Sequence, residues 1–389
     1  MKISTGAVMV LILALAPDVT AARGFDAGLP FVAGQEETEV EYFSLGLDLG
    51  SNSVSLGDYG MYNGSFLTDR QKHDIVGSVP DGGLSLFSTA EARGCGAVIG
   101  NVAITMAFRA GENANVPKDV LDLVLFGNET GRTYHLDDTA GEALASAEIG
   151  AFYSRRVPGL GAETSIGGGL RVIKGLAYGG ITHAQGRLHS ADTGISGDGR
   201  IELRTARGGT GYALDLGLQY RTHTDITIYA YIRDVFSTIR WTRGCHEEVN
   251  TFLFDSVVLG GNDPDSLITS ANESHDITAF TTRQVPHLHL VVERPWSDTD
   301  LALIYSQGFG NGALVTSQPE FTLRAARSVR SWMEIEGSFG WDGQTGIKEG
   351  LLAKLGKRTR FLIGVGVSPA PWPSSLKQLS LDVGVTRLL

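Results

Sequence analysis

The chain has 389 residues, enough for one large domain or two of ordinary size, with 51 glycines and only 19% charged residues. This composition excludes a disordered chain, a collagen and a helical coil, and it indicates a glycine-rich β protein. The net charge of -11 argues against a nucleic-acid partner, because binding a polyphosphate requires a basic surface.

Residues 1–22 are predicted to be a secretory signal peptide. Lys2 gives the positive start, Ala7–Ala16 form an apolar run, and Val19–Ala22 supply small residues suited to cleavage. A run of this length is too short to cross ~30 Å of hydrocarbon as a helix. The chain is therefore expected to be exported, and any crossing of a membrane has to be made by a closed β-barrel.

Residues 23–96 show weak patterning and are expected to form an N-terminal plug, or a periplasmic extension, that includes the first strands. Residues 97–389 are expected to form the β-barrel. The chain has two cysteines, Cys95 and Cys245, which are too few for a disulfide framework or a zinc site. The sequence leaves open whether they form one disulfide or remain separate thiols.

From about residue 97 onward, apolar and polar residues alternate in short segments separated by glycine, aspartate and serine turns. The clearest segment is 211–221. Its apolar face consists of Tyr212, Leu214, Leu216, Leu218 and Tyr220. Tyrosines at both ends of an apolar stripe are typical of a transmembrane strand, which needs ~9–11 residues and an aromatic belt at each interface.

Fourteen segments follow this rule, and an even number is expected of a single-chain bacterial barrel. They are residues 97–108, 147–156, 163–174, 176–187, 199–206, 211–221, 225–235, 287–293, 300–308, 319–326, 331–340, 347–355, 359–367 and 378–387. Short and long connections alternate between them, as periplasmic turns and outer loops do. The predicted fold is all-β, a transmembrane antiparallel β-barrel of about 14 strands. The alternative is a soluble secreted β-sandwich, in which the same alternation buries one face against a second sheet.

Residues 117–126 are predicted to form a short amphipathic helix, started by Pro117 and ended by Gly127. Two roles are open for this helix. It lines a pocket for a hydrophobic ligand, or it caps the periplasmic or lumenal end of the barrel.

The order of three segments resembles an uncharacterised branch of outer-membrane barrels. The helix Pro117–Asn128 is followed by Ala147–Arg155 and then by the lysine-bearing strand Ile166–Tyr178. This branch looks related to PorV-type secretion barrels and, more remotely, to the long-chain fatty-acid transporters (FadL-like barrels). The resemblance covers Tyr42–Leu188 in detail. It implies a fourteen-stranded barrel in the outer membrane of a Gram-negative-type bacterium and the handling of a hydrophobic small molecule, but it does not identify a ligand.

Charged residues on the polar faces of the strands are the candidates for lining the lumen and binding a ligand. They are Arg171, Lys174, Arg204, Asp215, Arg221, Arg233, Glu334, Glu336 and Arg360. Opposed rings of such charges set the selectivity of a pore. The alternative is that they form ion pairs that hold the barrel wall together.

No metal site, cofactor or catalytic residue is predicted. His287, His289 and Glu293 share one face of a strand, but Glu293 is four residues from His289, which places them ~13 Å apart, so a polar lumen face is the favoured interpretation. The chain also has no Gly-x-Ser-x-Gly nucleophile elbow.

The sequence thus predicts a non-enzymatic outer-membrane β-barrel that is a channel or transporter for hydrophobic small molecules. Its expected partners are outer-membrane lipid and a hydrophobic ligand, and no nucleic acid. The alternative function is a non-transporting assembly or secretion-partner barrel, whose long connection Trp241–Val285 binds a secreted or periplasmic protein.

Overall fold

The computed structural model describes residues 39–55, 57–58, 66–158, 163–192, 194–257, 268–368 and 375–389. The helices are α1 (Asp69–Ser78) and α2 (Lys118–Phe126). The strands are β1 (Glu39–Ser51), β2 (Leu84–Ile99), β3 (Val102–Val116), β4 (Thr133–His135), β5 (Ala140–Arg156), β6 (Glu163–Ala191), β7 (Gly194–Ala206), β8 (Gly209–Arg221), β9 (Thr227–Trp241), β10 (His246–Val257), β11 (Ile268–Asp276), β12 (Phe280–Thr282), β13 (His287–Trp296), β14 (Thr299–Gly308), β15 (Glu320–Arg330), β16 (Met333–Asp342), β17 (Gly346–Leu355), β18 (Thr359–Ser368) and β19 (Gln378–Leu388).

Fourteen of these strands form one closed antiparallel barrel. Its order around the wall is β1, β2, β3, β5, β6, β8, β9 and then β13 to β19, and β19 pairs back with β1. At the closure Leu45 of β1 lies between Val383 of β19 and Ala92 of β2. The predicted fold class and strand number are therefore confirmed.

The outer surface of the barrel is apolar, as a wall in contact with lipid requires. On β8, Tyr212, Leu214, Leu216 and Leu218 are between 38% and 50% exposed, whereas the alternating residues Ala213 and Asp215 are fully buried. The apolar stripe thus faces outward and the polar face lines the interior. The alternative of a soluble β-sandwich is wrong, because a sandwich would bury this stripe against a second sheet.

The two ends of the barrel differ in their connections. Residues 100–101, 222–226, 297–298, 331–332 and 356–358 make short turns at one end. The opposite end carries the long connections and is called the long-loop end. In outer-membrane barrels the short turns are periplasmic and the long loops extracellular.

An additional sheet extends beyond the barrel at the long-loop end. β6 pairs with β8 as far as Gly175 and with β7 from Tyr178 onward. The upper half of β6, together with β4, β7, β10 and β11, forms what we call the outer sheet. Part of the connection 241–285, predicted to be a long loop, is therefore strand.

Two of the fourteen segments that were predicted to be barrel strands lie outside the barrel. Residues 176–187 and 199–206 belong to the outer sheet, because strands outside the membrane alternate in the same way as strands within it. The two remaining barrel strands are β1 and β2, and all of β1 and most of β2 lie in the weakly patterned region 23–96. The predicted strand 97–108 spans the turn between β2 and β3, at Gly100 with its φ of +58°.

The predicted helix forms as α2, and Gly127, with a φ of +79°, ends it. It follows β3 and therefore lies at the long-loop end of the barrel. Its two predicted roles, lining a ligand pocket or capping the periplasmic or lumenal end of the barrel, stay predictions. It contacts α1, where the rings of His73 and Phe126 are 4.5 Å apart. Neither helix has the length and apolar character needed to span a membrane. The predicted signal peptide and residues 23–38 lie outside the described residues.

Candidate functional site

Ion pairs between strands line the interior of the barrel. One group, called the central cluster, consists of Glu91, Arg93, Arg109, Glu148, Arg171, Asp215, Arg233 and Asp234. Its members come from β2, β3, β5, β6, β8 and β9, so the cluster connects six neighbouring strands of the wall.

Arg171 of β6 lies at the middle of the central cluster and contacts three carboxylates. Its Nε and Nη2 donate to the two oxygens of Asp215 at 2.8 and 3.0 Å. Nη1 donates to Glu148 and Nη2 to Asp234, each at 2.5 Å. Because all four side chains are almost fully buried, each charge depends on the others for compensation.

A bulge in β9 brings Asp234 to this position. Residues 233–235 of β9 lie opposite the single residue Asp215 of β8. Asp234 has a φ of +57°, and its backbone N–H donates to the Asp215 carboxylate at 2.8 Å. The bulge thus directs one more carboxylate toward Arg171 than regular alternation would allow.

The remaining cations of the central cluster share Glu91 and Glu148. Glu91 accepts from Arg93 at 2.5 Å and lies 3.2 Å from Nε of Arg109. Nη2 of Arg233 lies 3.4 Å from Glu148. The network therefore extends from Arg171 across the lumen to β2.

The opposite wall carries a second group of ion pairs, called the far-wall cluster. Its members are Glu293, Glu320, Arg324, Glu334, Glu336, Asp342, Lys348 and Lys354. Lys348 of β17 lies 3.0 Å from Asp342 and 3.3 Å from Glu320. Charged side chains thus line both sides of the lumen.

Two cavities lie between the two clusters. Cavity A has a volume of about 240 Å³ and is lined mainly by β1, β2 and β13 to β19. Cavity B has a volume of about 280 Å³ and lies toward the long-loop end, next to residues 312–316. Both cavities are lined by the same six residues at their junction, Glu91, Arg93, His289, Ser306, Glu320 and Lys348. The two cavities therefore adjoin in the middle of the barrel.

The connection between β14 and β15, residues 309–319, folds into the barrel and covers cavity B. The backbone N–H of Ala313 donates to Glu142 of β5 at 3.0 Å. Gly111 of β3 permits this approach, since a Cβ there would lie 2.4 Å from the carbonyl oxygen of Ala313. A side chain at residue 111 would therefore displace the folded-in connection.

An apolar cluster borders cavity B on the side toward the outer sheet. Its buried members are Leu144, Ile173, Ala206, Ala213, Ile239, Trp241, Cys245 and Ala313. Trp241 is the largest, and the rings of Tyr178 and Phe280 lie 5.5 and 6.4 Å from it. Leu314 packs against this cluster and also lines cavity B, so an apolar surface continues from the outer sheet into the lumen.

Six of the nine charged candidate residues lie on the lumen side. Arg171, Asp215 and Arg233 belong to the central cluster. Glu334 and Glu336 belong to the far-wall cluster. Arg360 alternates with the outward Phe361 and lies on the inner face near the short-turn end.

Two candidates, Lys174 and Arg204, lie elsewhere, so their prediction as lumen residues is wrong. Lys174 is exposed on the outer face of β6, because it lies two residues after the outward Val172 and therefore on the same face of the strand. Arg204 lies in the outer sheet, where its Nε donates to Glu247 at 2.6 Å. Arg221 is on the same face of β8 as Asp215, but it ends the strand at a short turn, where it is exposed and pairs with Asp225 at 3.1 Å. Its role in the lumen stays a prediction.

The two cysteines are free thiols at opposite ends of the barrel, so the disulfide that the sequence left open is not formed. Cys95 is exposed beside the short turn between β2 and β3, whereas Cys245 is buried in the apolar cluster. Burial raises the pKa of the Cys245 thiol. His287 and His289 face the lumen, where Nε2 of His287 lies 2.8 Å from the Ser306 hydroxyl. Within the described ranges no group of His, Cys, Asp and Glu is arranged to hold a metal ion.

Several lumen residues were not predicted from the sequence. Glu148 and Lys348 lie inside predicted strands, and the alternation of those strands could have identified them. Arg109 lies one residue beyond a predicted segment. Asp234 reaches the lumen only because of the β9 bulge, which interrupts the alternation.

A family model described as a family of unknown function (DUF5723) matches residues 40–208 and 190–365. These matches extend from β1 to β18 and cover most of the chain. The chain belongs to this family. No curated protein matches the sequence.

Solved structures of two toluene transporters and of a FadL homologue are similar to this chain. The toluene transporter TbuX of Ralstonia pickettii has 13% identity and a TM-score of 0.43, over 96% of this chain and 95% of that chain. The toluene transporter TodX of Pseudomonas putida has 6% identity and a TM-score of 0.45, over 96% and 94%. A FadL homologue of Pseudomonas aeruginosa has 9% identity and a TM-score of 0.44, over 96% and 99%.

The closed barrel is established by the strand pairing of this chain itself. The relation to PorV-type barrels that the sequence suggested is not supported by the comparisons.

Proposed function

We propose that the protein is an outer-membrane channel or transporter for hydrophobic small molecules. The observation that carries this proposal is the pair of adjoining cavities inside the closed barrel, bordered by an apolar cluster on the outer side. An apolar cavity of ~150 Å³ can hold benzene. Cavities of about 240 and 280 Å³ therefore have room for a molecule of one or two rings.

The outward apolar belt and the predicted signal peptide support a location in the outer membrane of a Gram-negative-type bacterium. In that orientation the long-loop end faces the exterior. A ligand would reach the apolar cluster first and cavity B next, passing Leu314 at the boundary between them.

The test is the entry of N-phenyl-1-naphthylamine, an apolar dye, into Gram-negative cells that express the protein. We expect faster entry than in cells with an empty vector. Leu314→Trp should slow entry several-fold, because the larger side chain fills cavity B. The matched control Leu253→Trp, at an exposed position of the outer sheet, should leave the rate unchanged. Entry that is independent of expression would contradict the proposal.

A second candidate function is the binding of a secreted or periplasmic protein, and it is supported by the edge of the outer sheet. β11 pairs with β10, and no other described strand covers its second edge. A free edge can accept a strand from a partner. A photo-reactive amino acid at Asn272 should then cross-link to a specific protein in intact cells. If Asn272 gives only the uncross-linked barrel, this candidate is excluded.

A further inference from the structure

Five cationic side chains cluster outside the barrel, just beyond the apolar belt at the long-loop end. This outer basic patch consists of Lys174, Arg207, Arg240, Arg243 and Arg283, all of them exposed. The chain as a whole carries a net charge of -11, so these five cations form a positively charged region on an acidic protein.

Strand register places two of these cations in one row. Lys174 of β6 pairs with Thr210 of β8, and Thr210 pairs with Arg240 of β9. Lys174 follows the buried Ile173, and Arg240 lies between the buried Ile239 and Trp241. Both cations therefore point away from the lumen, about 10 Å apart across two strand spacings.

The other three cations surround this row. Arg207 and Arg243 lie in neighbouring turns above it, joined by a bond from the Arg207 N–H to the Arg243 carbonyl at 2.8 Å. Arg283 directly follows β12, whose Thr281 pairs with Arg240.

The height of the row on the barrel corresponds to the membrane interface. Tyr212 and Phe236 form a stacked pair of outward rings, with centroids 5.8 Å apart. Lys174 and Arg240 lie one outward position above Tyr212, about 7 Å along the strands. Outward tyrosines sit at the level of the lipid headgroups, so the patch lies among or just above them.

The patch cations are not neutralised by the described residues around them. Some other exposed cations are paired, as Arg187 is with Asp198 and Arg221 with Asp225, each at 3.1 Å. None of the patch cations forms an ion pair with a carboxylate of the described residues.

We propose that the outer basic patch binds the phosphate groups of a lipid headgroup in the outer leaflet. Arginine pairs with phosphate through two parallel N–H donors, and lysine adds a point charge. The apolar wall below the patch would contact the acyl chains of the same lipid. The proposal rests on the outer-membrane orientation given above and does not depend on transport.

The test is lipid binding by the purified full-length barrel, measured by native mass spectrometry with diphosphoryl lipid A as the probe. Each cation near a phosphate contributes ~1 kcal/mol, so Lys174→Gln with Arg240→Gln should weaken the apparent affinity ~30-fold. Arg330→Gln, at an exposed cation of the short-turn end, is the matched control and should change it less than twofold. Lipid A without phosphates should bind to the wild type at least as weakly as diphosphoryl lipid A binds to the double variant, which keeps three of the five cations.

Three results would overturn the proposal. The double variant retains wild-type affinity, the phosphate-free lipid binds as tightly as the diphosphoryl form, or inorganic phosphate displaces the lipid at equal concentration. Heat-modifiability on a gel establishes that each variant is a folded barrel. The single variants Lys174→Gln and Arg240→Gln should weaken the affinity for diphosphoryl lipid A by less than the double variant does.

Discussion

The two halves of β6 differ in what their side chains contact, although they belong to one continuous strand. In the lower half, as far as Gly175, the outward residues Ile166, Leu170 and Val172 are large and apolar, and the inward Arg171 is buried among carboxylates. In the upper half, polar residues such as Gln185 and Arg187 are exposed. The lower half is thus built for lipid on one side and the lumen on the other, and the upper half for water.

This difference shows that strand alternation and membrane embedding are separate signals. A period of two residues identifies a strand wherever it lies. Only a face of large apolar side chains, framed by aromatic residues, identifies a strand that contacts lipid.

The largest expected effect comes from the buried charge of the lower half. Arg171→Met leaves Glu148, Asp215 and Asp234 without their shared cation, which should lower the free energy of unfolding by ~3–5 kcal/mol. Arg187→Met, in the upper half of the same strand, removes an exposed pair and should cost less than ~1 kcal/mol. Guanidinium unfolding of the barrel in lipid vesicles measures both. Equal losses would mean that the two halves do not differ in burial.

The next effect concerns the outward face. Leu170→Arg places a charge in the apolar belt and should cost ~2–4 kcal/mol, because the lipid cannot solvate it. Gln185→Arg is the matched control in the exposed upper half and should be within ~0.5 kcal/mol of the wild type. The same unfolding measurement applies. A cost at residue 170 as small as that at residue 185 would contradict the assignment of the belt.

The smallest effect lies in the outer sheet. The hydrogen bond from Arg204 holds the pKa of Glu247 below its ordinary value. The pair therefore stabilises the sheet above pH ~4.3 and loses this contribution as the pH falls through the lowered pKa. Because Arg204 is partly exposed, Arg204→Gln should cost less than ~1 kcal/mol at pH 7.

Limited proteolysis of the outer sheet measures this last effect, with Arg200→Gln as the comparison. Cleavage should be faster in Arg204→Gln at pH 7 and equal to that of the wild type once Glu247 is protonated. A difference that persists at low pH would show that another contact of Arg204 is responsible.

Much of the barrel could be predicted from the sequence, because lipid contact leaves a local signal. β8 shows this best, with apolar residues from Tyr212 to Tyr220 on alternate positions and Asp215 on the opposite face. β2 leaves no such signal, since its residues Ser88, Ala90 and Ala92 are small on the face opposite Glu91. The barrel strands within residues 39–99 were therefore less evident than those that follow.

The candidate site could be predicted only in part, because its contacts join residues far apart in the chain. The alternation at β6 and β8 identified Arg171 and Asp215 as inward residues. It could not show that Asp234 joins them, since this depends on the β9 bulge. The prediction that Lys174 faces the lumen was wrong for a related reason. Lys174 lies above the apolar belt, where a charged side chain can point outward without contacting lipid.

The most direct test of this account is a nitroxide spin label placed along β6 in lipid vesicles, with Cys95 and Cys245 replaced by serine. Labels at Leu170 and Val172 should collide more often with oxygen, which dissolves in lipid, than with a water-soluble nickel chelate. Labels at Thr182 and Gln185 should show the opposite preference. Equal accessibility to both reagents along the whole of β6 would contradict a strand that is half in the membrane and half outside it.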